Sequence, residues 1–228
     1  MLLHNSGRSP KNLIPLKISM LYPIDCDILN KISANGGAMN QSTGSARMQF
    51  ILAGIGVIEE CGISGFTMRK LASRCGVSIA APYRHFKDKD ELIFAIISYI
   101  NEQWYELQNE VIQRYENDLR RQLIEISMEY IRFLLHNPHF RHIITMRSSV
   151  ITPEQQRVKA QISHRSRVII DQYCKSVNMS DERRRLKTFI VRSIIYGAAI
   201  MMDNGELEND EATFYGIREA ISREFDLT

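Results

Sequence analysis

The chain has 228 residues, 44% hydrophobic and 24% charged, and a formal net charge of +3 at neutral pH. That is ordinary globular composition; it excludes collagen-like, low-complexity and strongly acidic or basic classes. The run Phe189 to Met202 is interrupted by Arg192 and Ser193 and falls short of the about 18 apolar residues of a membrane span, so no membrane partner is expected. Four cysteines, Cys26, Cys61, Cys75 and Cys174, lie far apart with no CxxC pair, and they read as free thiols of a reducing cytoplasm. Cys61 and Cys75 fall on inward faces of predicted helices. Few prolines and long 3.6-residue periodicities indicate an all-α protein.

Residues 1–44 carry three of the six prolines, no sustained apolar period and a Gly/Ser/Asn-rich end. They lack the compact apolar core and small-residue cleavage site of a signal peptide, so they read as disordered or as a short helix near Asp25 to Ser33. Gly36-Gly37-Ala38-Met39 also has the form of a ribosome-binding sequence and true start read through as protein. A basic arm carrying Arg8, Lys11, Lys17 and Lys31 is the rival reading. Ser45 to Cys61 forms the first firm helix, with Met48, Ile51, Leu52, Ile55 and Ile58 as one apolar stripe and Gly62 as its stop. Gly54 and Gly56 inside it cost about 1 kcal/mol each relative to alanine, which is tolerable where another helix crosses closely.

Thr67 to Lys89 reads as two short helices about a tight turn. Thr67 is the N-cap of the first, in which Leu71, Ala72 and Cys75 share a face. Gly76 supplies the left-handed residue after it, and Ser78 is the expected N-cap of a second helix of about two turns ending near Phe86. Pro82 removes a backbone donor inside that helix, which predicts a tightened or tilted geometry. Six cations (Arg69, Lys70, Arg74, Arg84, Lys87, Lys89) stand against Asp88 alone here, a balance of +5 in a tenth of the chain. A helix, glycine turn and helix with such a charge fits duplex DNA. On the second helix Arg84 has the fork to read guanine, while Ile79, Ala80 and Ala81 can meet thymine methyls.

Asp88 caps a long helix to Arg114 that is apolar on two faces, as a connector covered on both sides would be. Asp118 to His136 follows, stopped by Pro138. A shorter helix from Pro138 to Arg147 leads to a loop with Ser148, Ser149 and Thr152, and Pro153 opens a helix over Glu154 to Asn178. The last two helices span Asp181 to Asp203 and Asp210 to Asp226, with Gly197, Ala198 and Ala199 small enough for close approach. His136, His139 and His142 have no carboxylate or cysteine beside them, so no metal is expected. Trp104, Tyr105, Phe133, Phe140, Met146 and Tyr173 line a ligand cavity or form plain core, two readings the periodicity leaves open. Arg183, Arg184 and Arg185 read as a solvated face. No phosphate loop, nucleophile elbow or acid–base constellation is visible, so neither an enzyme nor a cofactor is expected.

The segment GFTMRKLASRCGVSIAAPYRHFKDKDEL resembles the DNA-binding part of the TetR/AcrR family of bacterial regulators, through Thr67, Arg69, Leu71-Ala72, Gly76-Val77-Ser78, Tyr83, His85-Phe86, Lys89 and Leu92. The resemblance is strong over residues 45–104; Asn137 to Phe140 and the Gly197…Gly205 spacing are weaker likenesses to the regulatory part. It implies an all-α fold with a three-helix helix–turn–helix domain over 45–104 (helix–turn–helix 67–86), a helical ligand-binding and dimerisation domain over 105–228, and an extension over 1–44. The implied DNA contacts are Thr67, Arg69, Tyr83, His85 and Lys89 to phosphates, with Ser78, Ile79, Ala80, Ala81 and Arg84 on the reading helix. A cytoplasmic homodimer on a palindromic operator, a small-molecule effector of unknown identity and a repressor's sense are also implied. A DNA-organising or partner-binding protein of the same fold, without an effector, is the alternative.

Overall fold

The computed structural model describes residues 43–144 and 151–226. The expected start at Met39, the basic arm and Met146 lie outside the described residues. Within them the elements are α-helices: α1 (Thr43–Gly65), α2 (Met68–Arg74), α3 (Ala80–Tyr83), α4 (Lys89–Arg114), α5 (Leu119–His136), α6 (Pro138–Ile144), α7 (Pro153–Gln161), α8 (His164–Ser176), α9 (Asp181–Asp203) and α10 (Glu211–Asp226). An amino-terminal helix–turn–helix unit, α1 to α3 with the start of α4, is followed by a larger helical unit. α1 packs on α2, α4 and α6, while α5 is the hub of the larger unit, touching α4, α6, α8, α9 and α10.

α1 is buried on every side from Phe50 to Ile58. This sleeve explains why Ala46–Gly65, rather than Phe189 to Met202, is the stretch whose length and composition alone would suit a membrane; its apolar surface is used against neighbouring helices. Met48, expected in the stripe, is 39% exposed because it lies before the sleeve begins. Both interior glycines have close neighbours: a Cβ on Gly54 would stand 2.9 Å from Ile96 Cδ1, and one on Gly56 would stand 2.8 Å from Arg74 Nη2. Gly62, with φ of 66°, breaks the regular geometry where expected, and a further turn runs on to Gly65.

α4 begins as predicted, with Asp88 Oδ1 accepting from the Glu91 N–H at 2.9 Å. Its two apolar faces bury Leu92, Ile96, Ile97, Ile100 and Trp104 under the units on either side. The single helix expected over Glu154 to Asn178 is two helices, broken at Ile162 and Ser163. The cause is α4: Asn101 Nδ2 donates to the Val158 carbonyl at 2.6 Å and Trp104 Nε1 to the Ile162 carbonyl at 3.0 Å. Carbonyls that take side-chain donors end the helical ladder there, and Ser163 starts the next helix. Thr152 and Gln155 close the start of α7 with a capping box, at 3.2 and 2.9 Å. Cys61 and Cys75 are half-buried rather than inward, whereas Cys174 is buried. Burial pushes the Cys75 thiol up to about 11, against the opposing pull of Arg74.

α5 carries two acids into the interior. Glu125 takes a two-pronged bond from Arg218 of α10, and Glu129 accepts from Arg132 Nη1 at 2.7 Å. Burial raises the Glu129 carboxyl pKa, outweighing Arg132. A raised carboxyl pKa stabilises the fold at acidic pH, and that contribution is lost as pH rises through the folded value. Glu129→Gln should therefore gain melting temperature over the parent near about pH 8 and little near about pH 4. Thermal unfolding at the two pH values measures this; a gain that shrinks with rising pH would contradict it.

Candidate nucleic-acid interface

The turn between α2 and α3 is built by local backbone bonds. Thr67 Oγ1 caps α2 by accepting from the Lys70 N–H at 3.2 Å. At the other end Val77 N–H reaches the Ala72 carbonyl at 3.0 Å and Gly76 N–H the Ser73 carbonyl at 3.1 Å. This Schellman pair needs a left-handed residue at its centre, and Gly76 sits there with φ of 64°. Ser78 does not cap α3: Ile79 holds the cap position with no side-chain bond, and the Ser78 backbone carbonyl accepts from Ala81 N–H instead.

The regular part of α3 is shorter than the Ser78 to Phe86 expected. It covers Ala80–Tyr83 and continues to Phe86 as tight turns: Arg84 N–H bonds the Ala81 carbonyl at 3.2 Å and His85 N–H the Pro82 carbonyl at 3.0 Å. The i→i+3 pattern is the tightening that a missing donor at Pro82 predicts. Pro82 and Phe86 are buried and anchor the turn, which leaves Ser78, Ile79, Ala80, Tyr83 and Arg84 facing outward. Ile79 and Tyr83 are 55% and 52% exposed, an unusual display of apolar surface for so short an element. Ala81 is half-buried, and the His85 ring rests against Phe50 of α1 with centroids 5.5 Å apart.

The six cations divide into two sets. Lys70 Nζ donates to the Gly65 carbonyl and Lys89 Nζ to the Ile63 carbonyl, each at 2.8 Å, and Arg74 pairs with Glu60 over Gly56. These three hold the end of α1, where carbonyls lack helical partners. Lys89 also lies 5.8 Å from the centre of the Phe66 ring. Its expected role as a phosphate contact therefore competes with a structural one. Arg69, Arg84 and Lys87 are exposed, and among the described residues none has an acid partner. A further cation went unnoticed in the sequence: Arg47 of α1 stacks over Phe86, 4.9 Å from its centroid, beside the reading turn. Only the pairing of α1 with the turn reveals it.

The larger unit holds a cavity of about 390 Å³ enclosed by α4 to α10. Trp104 and Tyr173 line it, as one of the two readings had it. Phe133 and Phe140 are instead plain core, packed on each other in a tilted pair with centroids 5.7 Å apart, and Tyr105 is 54% exposed on the outer face under Arg165. Arg184, expected to be solvated, lines the cavity and pairs with Asp171 at 2.6 Å; Arg183 and Arg185 are exposed. Only the ion pair that joins α8 to α9 shows this. His136 bonds the Arg132 carbonyl through Nδ1 at 2.8 Å, while the side chains of His139 and His142 lie outside the described part.

A capped helix, a Schellman turn and a short exposed helix flanked by free cations, set on an all-helical body, define a helix–turn–helix DNA-binding regulator. Residues 50–96 match the family model described as bacterial regulatory proteins, tetR family. The fold is shared with a TetR family transcription regulator from Marinobacter aquaeolei, at 25% identity and a TM-score of 0.68, covering 82% of this chain and 98% of that one. The chain thus carries a tetR-type DNA-binding segment over residues 50–96, on a fold shared with a tetR family regulator. It is 29% identical over 117 residues to the nucleoid occlusion factor SlmA of Alteromonas mediterranea, covering 51% of this chain and 58% of the relative's length. A transcriptional regulator FadR from Bacillus subtilis, solved with stearoyl-CoA, shares the fold at 18% identity and a TM-score of 0.60, over 78% of this chain and 98% of that one.

Proposed function

We propose that the protein is a non-enzymatic, cytoplasmic, sequence-specific DNA-binding repressor that acts as a homodimer and releases its operator when a small molecule binds. The reading head spans residues 45–104 and the effector and dimer part residues 105–228. The observation that carries the DNA reading is the set of exposed cations, Arg69, Arg84 and Lys87, around an outward-facing helix of small and apolar residues. Thr67, Arg69, Tyr83, His85 and Lys89 are assigned to phosphates, and Ser78, Ile79, Ala80, Ala81 and Arg84 to the major groove.

The dimer reading is supported by α9 and α10, where Leu186, Phe189, Ile200, Met201 and Tyr215 are exposed and Gly197 and Gly216 leave open space. Such a stripe suits a twofold four-helix contact. The effector reading is supported by a connection from cavity to reading head. Gln156, Lys159 and Ala160 of α7 line the cavity, and Gln155 Nε2 of the same helix donates to the Asp90 carbonyl in the first turn of α4 at 2.9 Å. A molecule that shifts α7 would shift the base of the reading head.

The similarity to nucleoid occlusion factors favours a second reading, in which the protein organises DNA without an effector. Selection of bound fragments from sheared genomic DNA separates the two. A repressor returns a few palindromes near promoters, each holding two chains, whereas a DNA organiser returns many dispersed sites. Recovery of no common sequence would overturn both.

A further inference from the structure

The cavity walls carry both apolar and cationic side chains. Leu123, Ile126, Ile162 and Ile195 are among the apolar ones, and Lys159, Arg167, Arg184, Lys187 and Arg192 supply positive charge, with no aspartate or glutamate in the lining. Two of these cations are engaged by acids: Arg184 by Asp171 and Asp181, and Lys187 by Glu224. Arg167 and Arg192 are different. Arg167 bonds the Ala160 carbonyl, at 3.1 Å, and Arg192 lies over the Tyr196 ring at 6.0 Å; neither forms an ion pair with an acid among the described residues, and the acid that lines the adjoining groove, Asp171, is paired with Arg184.

Both arginines also line a second, more open groove beside the cavity, together with Ile170, Thr188 and Tyr196, which are shared by the two spaces. They stand where the enclosed part meets the outside. Deeper in, the Tyr130 hydroxyl is buried beside Tyr196, with no hydrogen bond of good geometry. Burial, and after it the neighbouring Tyr196, holds its pKa well above the ordinary phenol value, so it stays a donor. An acceptor atom on a ligand would give this donor a well-formed bond.

We propose that the cavity takes an amphipathic organic anion, with its apolar body among Leu123, Ile126, Ile162 and Ile195 and its carboxylate or phosphate head between Arg167 and Arg192. The inference rests on the reading of the cavity as an effector site and adds the chemical class of the effector. A cationic ligand would meet uncompensated guanidinium groups, and a neutral one would leave both without a counter-charge. The volume, about 390 Å³, lies within the range of small-molecule sites, about 300–1,000 Å³.

Trp104, the single tryptophan of the chain, is in the cavity wall and reports occupancy by its fluorescence. The full chain is titrated with four probes that share one tail: dodecanoate, dodecyl phosphate, dodecanol and dodecyltrimethylammonium, all below micelle formation. One of the two anions is expected to bind about tenfold tighter than dodecanol, and the ammonium weakest. A preference for dodecanoate points to a compact head at the arginine pair, and one for dodecyl phosphate to a head reaching into the groove. The double variant Arg167→Ala/Arg192→Ala should lose the advantage of the anion and keep dodecanol binding. Equal binding of dodecanol, tighter binding of the ammonium, an anion preference that survives the double variant, or no binding of any probe would overturn the proposal. A mobility shift of DNA with the same preparation is read separately. DNA release by dodecanol or the ammonium would leave the effector reading standing with the wrong ligand class.

Discussion

Trp104→Ala is expected to cost more stability than any other single truncation considered for this chain. Trp104 is 2% exposed, packs on Tyr130 and Phe133 with centroids at 4.7 and 5.4 Å, and donates its indole N–H to the Ile162 carbonyl. Removing a buried indole costs about 3–5 kcal/mol in lost contacts and cavity. The Ile162 carbonyl, left without its donor in a buried place, adds about 1–3 kcal/mol. Against a typical total of about 5–15 kcal/mol, the variant sits near the threshold of folding. Urea unfolding followed by circular dichroism measures the loss. Trp104→Phe keeps one aromatic ring but loses the donor and the rest of the indole, so its loss should be smaller than that of Trp104→Ala. Equal losses for the two variants would show that the aromatic cluster relaxes around the gap.

Arg84→Ala carries the largest expected effect on DNA recognition. The side chain is exposed at the end of α3, with no acid partner among the described residues, and a guanidinium there can take guanine O6 and N7 together. Its loss should cost an operator about 1–3 kcal/mol and relax preference at one base position in each half-site. Lys89→Ala should behave differently. Because Lys89 Nζ ties the Ile63 carbonyl at the end of α1, its removal should lower unfolding stability by about 1 kcal/mol. Competition between operator variants, read beside thermal unfolding, separates the two. Unchanged base preference in the Arg84 variant would remove that residue from the reading set.

The helix–turn–helix was legible because its determinants are local. Thr67, Gly76 and Pro82 act on backbone bonds within a few residues of themselves, so their consequences follow from the sequence. Asp88, Thr152 and the stop at Pro138 were legible for the same reason. What was not legible depends on distant partners. The break between α7 and α8 is imposed by Asn101 and Trp104 of α4, about 60 residues away in the chain, and neither flank of the break carries a glycine or proline to announce it. The charge count over the reading segment was right in sum and silent on use, because Lys70, Arg74 and Lys89 turn inward to the end of α1 while Arg47 joins from outside the segment. Of the six aromatic and methionine residues offered for the cavity, position on a helix could not say whether a ring faces a void or another ring. Phe133 and Phe140 face each other, and Trp104 and Tyr173 face the void.

The claim on which the rest depends is that three exposed cations about a short helix hold this protein on duplex DNA, and its most direct test is the salt dependence of binding. Each phosphate neutralised contributes a slope of about −0.9 to log K against log salt on B-form DNA. The full chain should bind a duplex at low salt with a steep slope, and the triple variant Arg69→Ala/Arg84→Ala/Lys87→Ala should fold normally and flatten that slope by about 2, through Arg69 and Lys87, since Arg84 is assigned to a base. Failure of the parent chain to bind any duplex at low salt, or an unchanged slope in the folded triple variant, would contradict it.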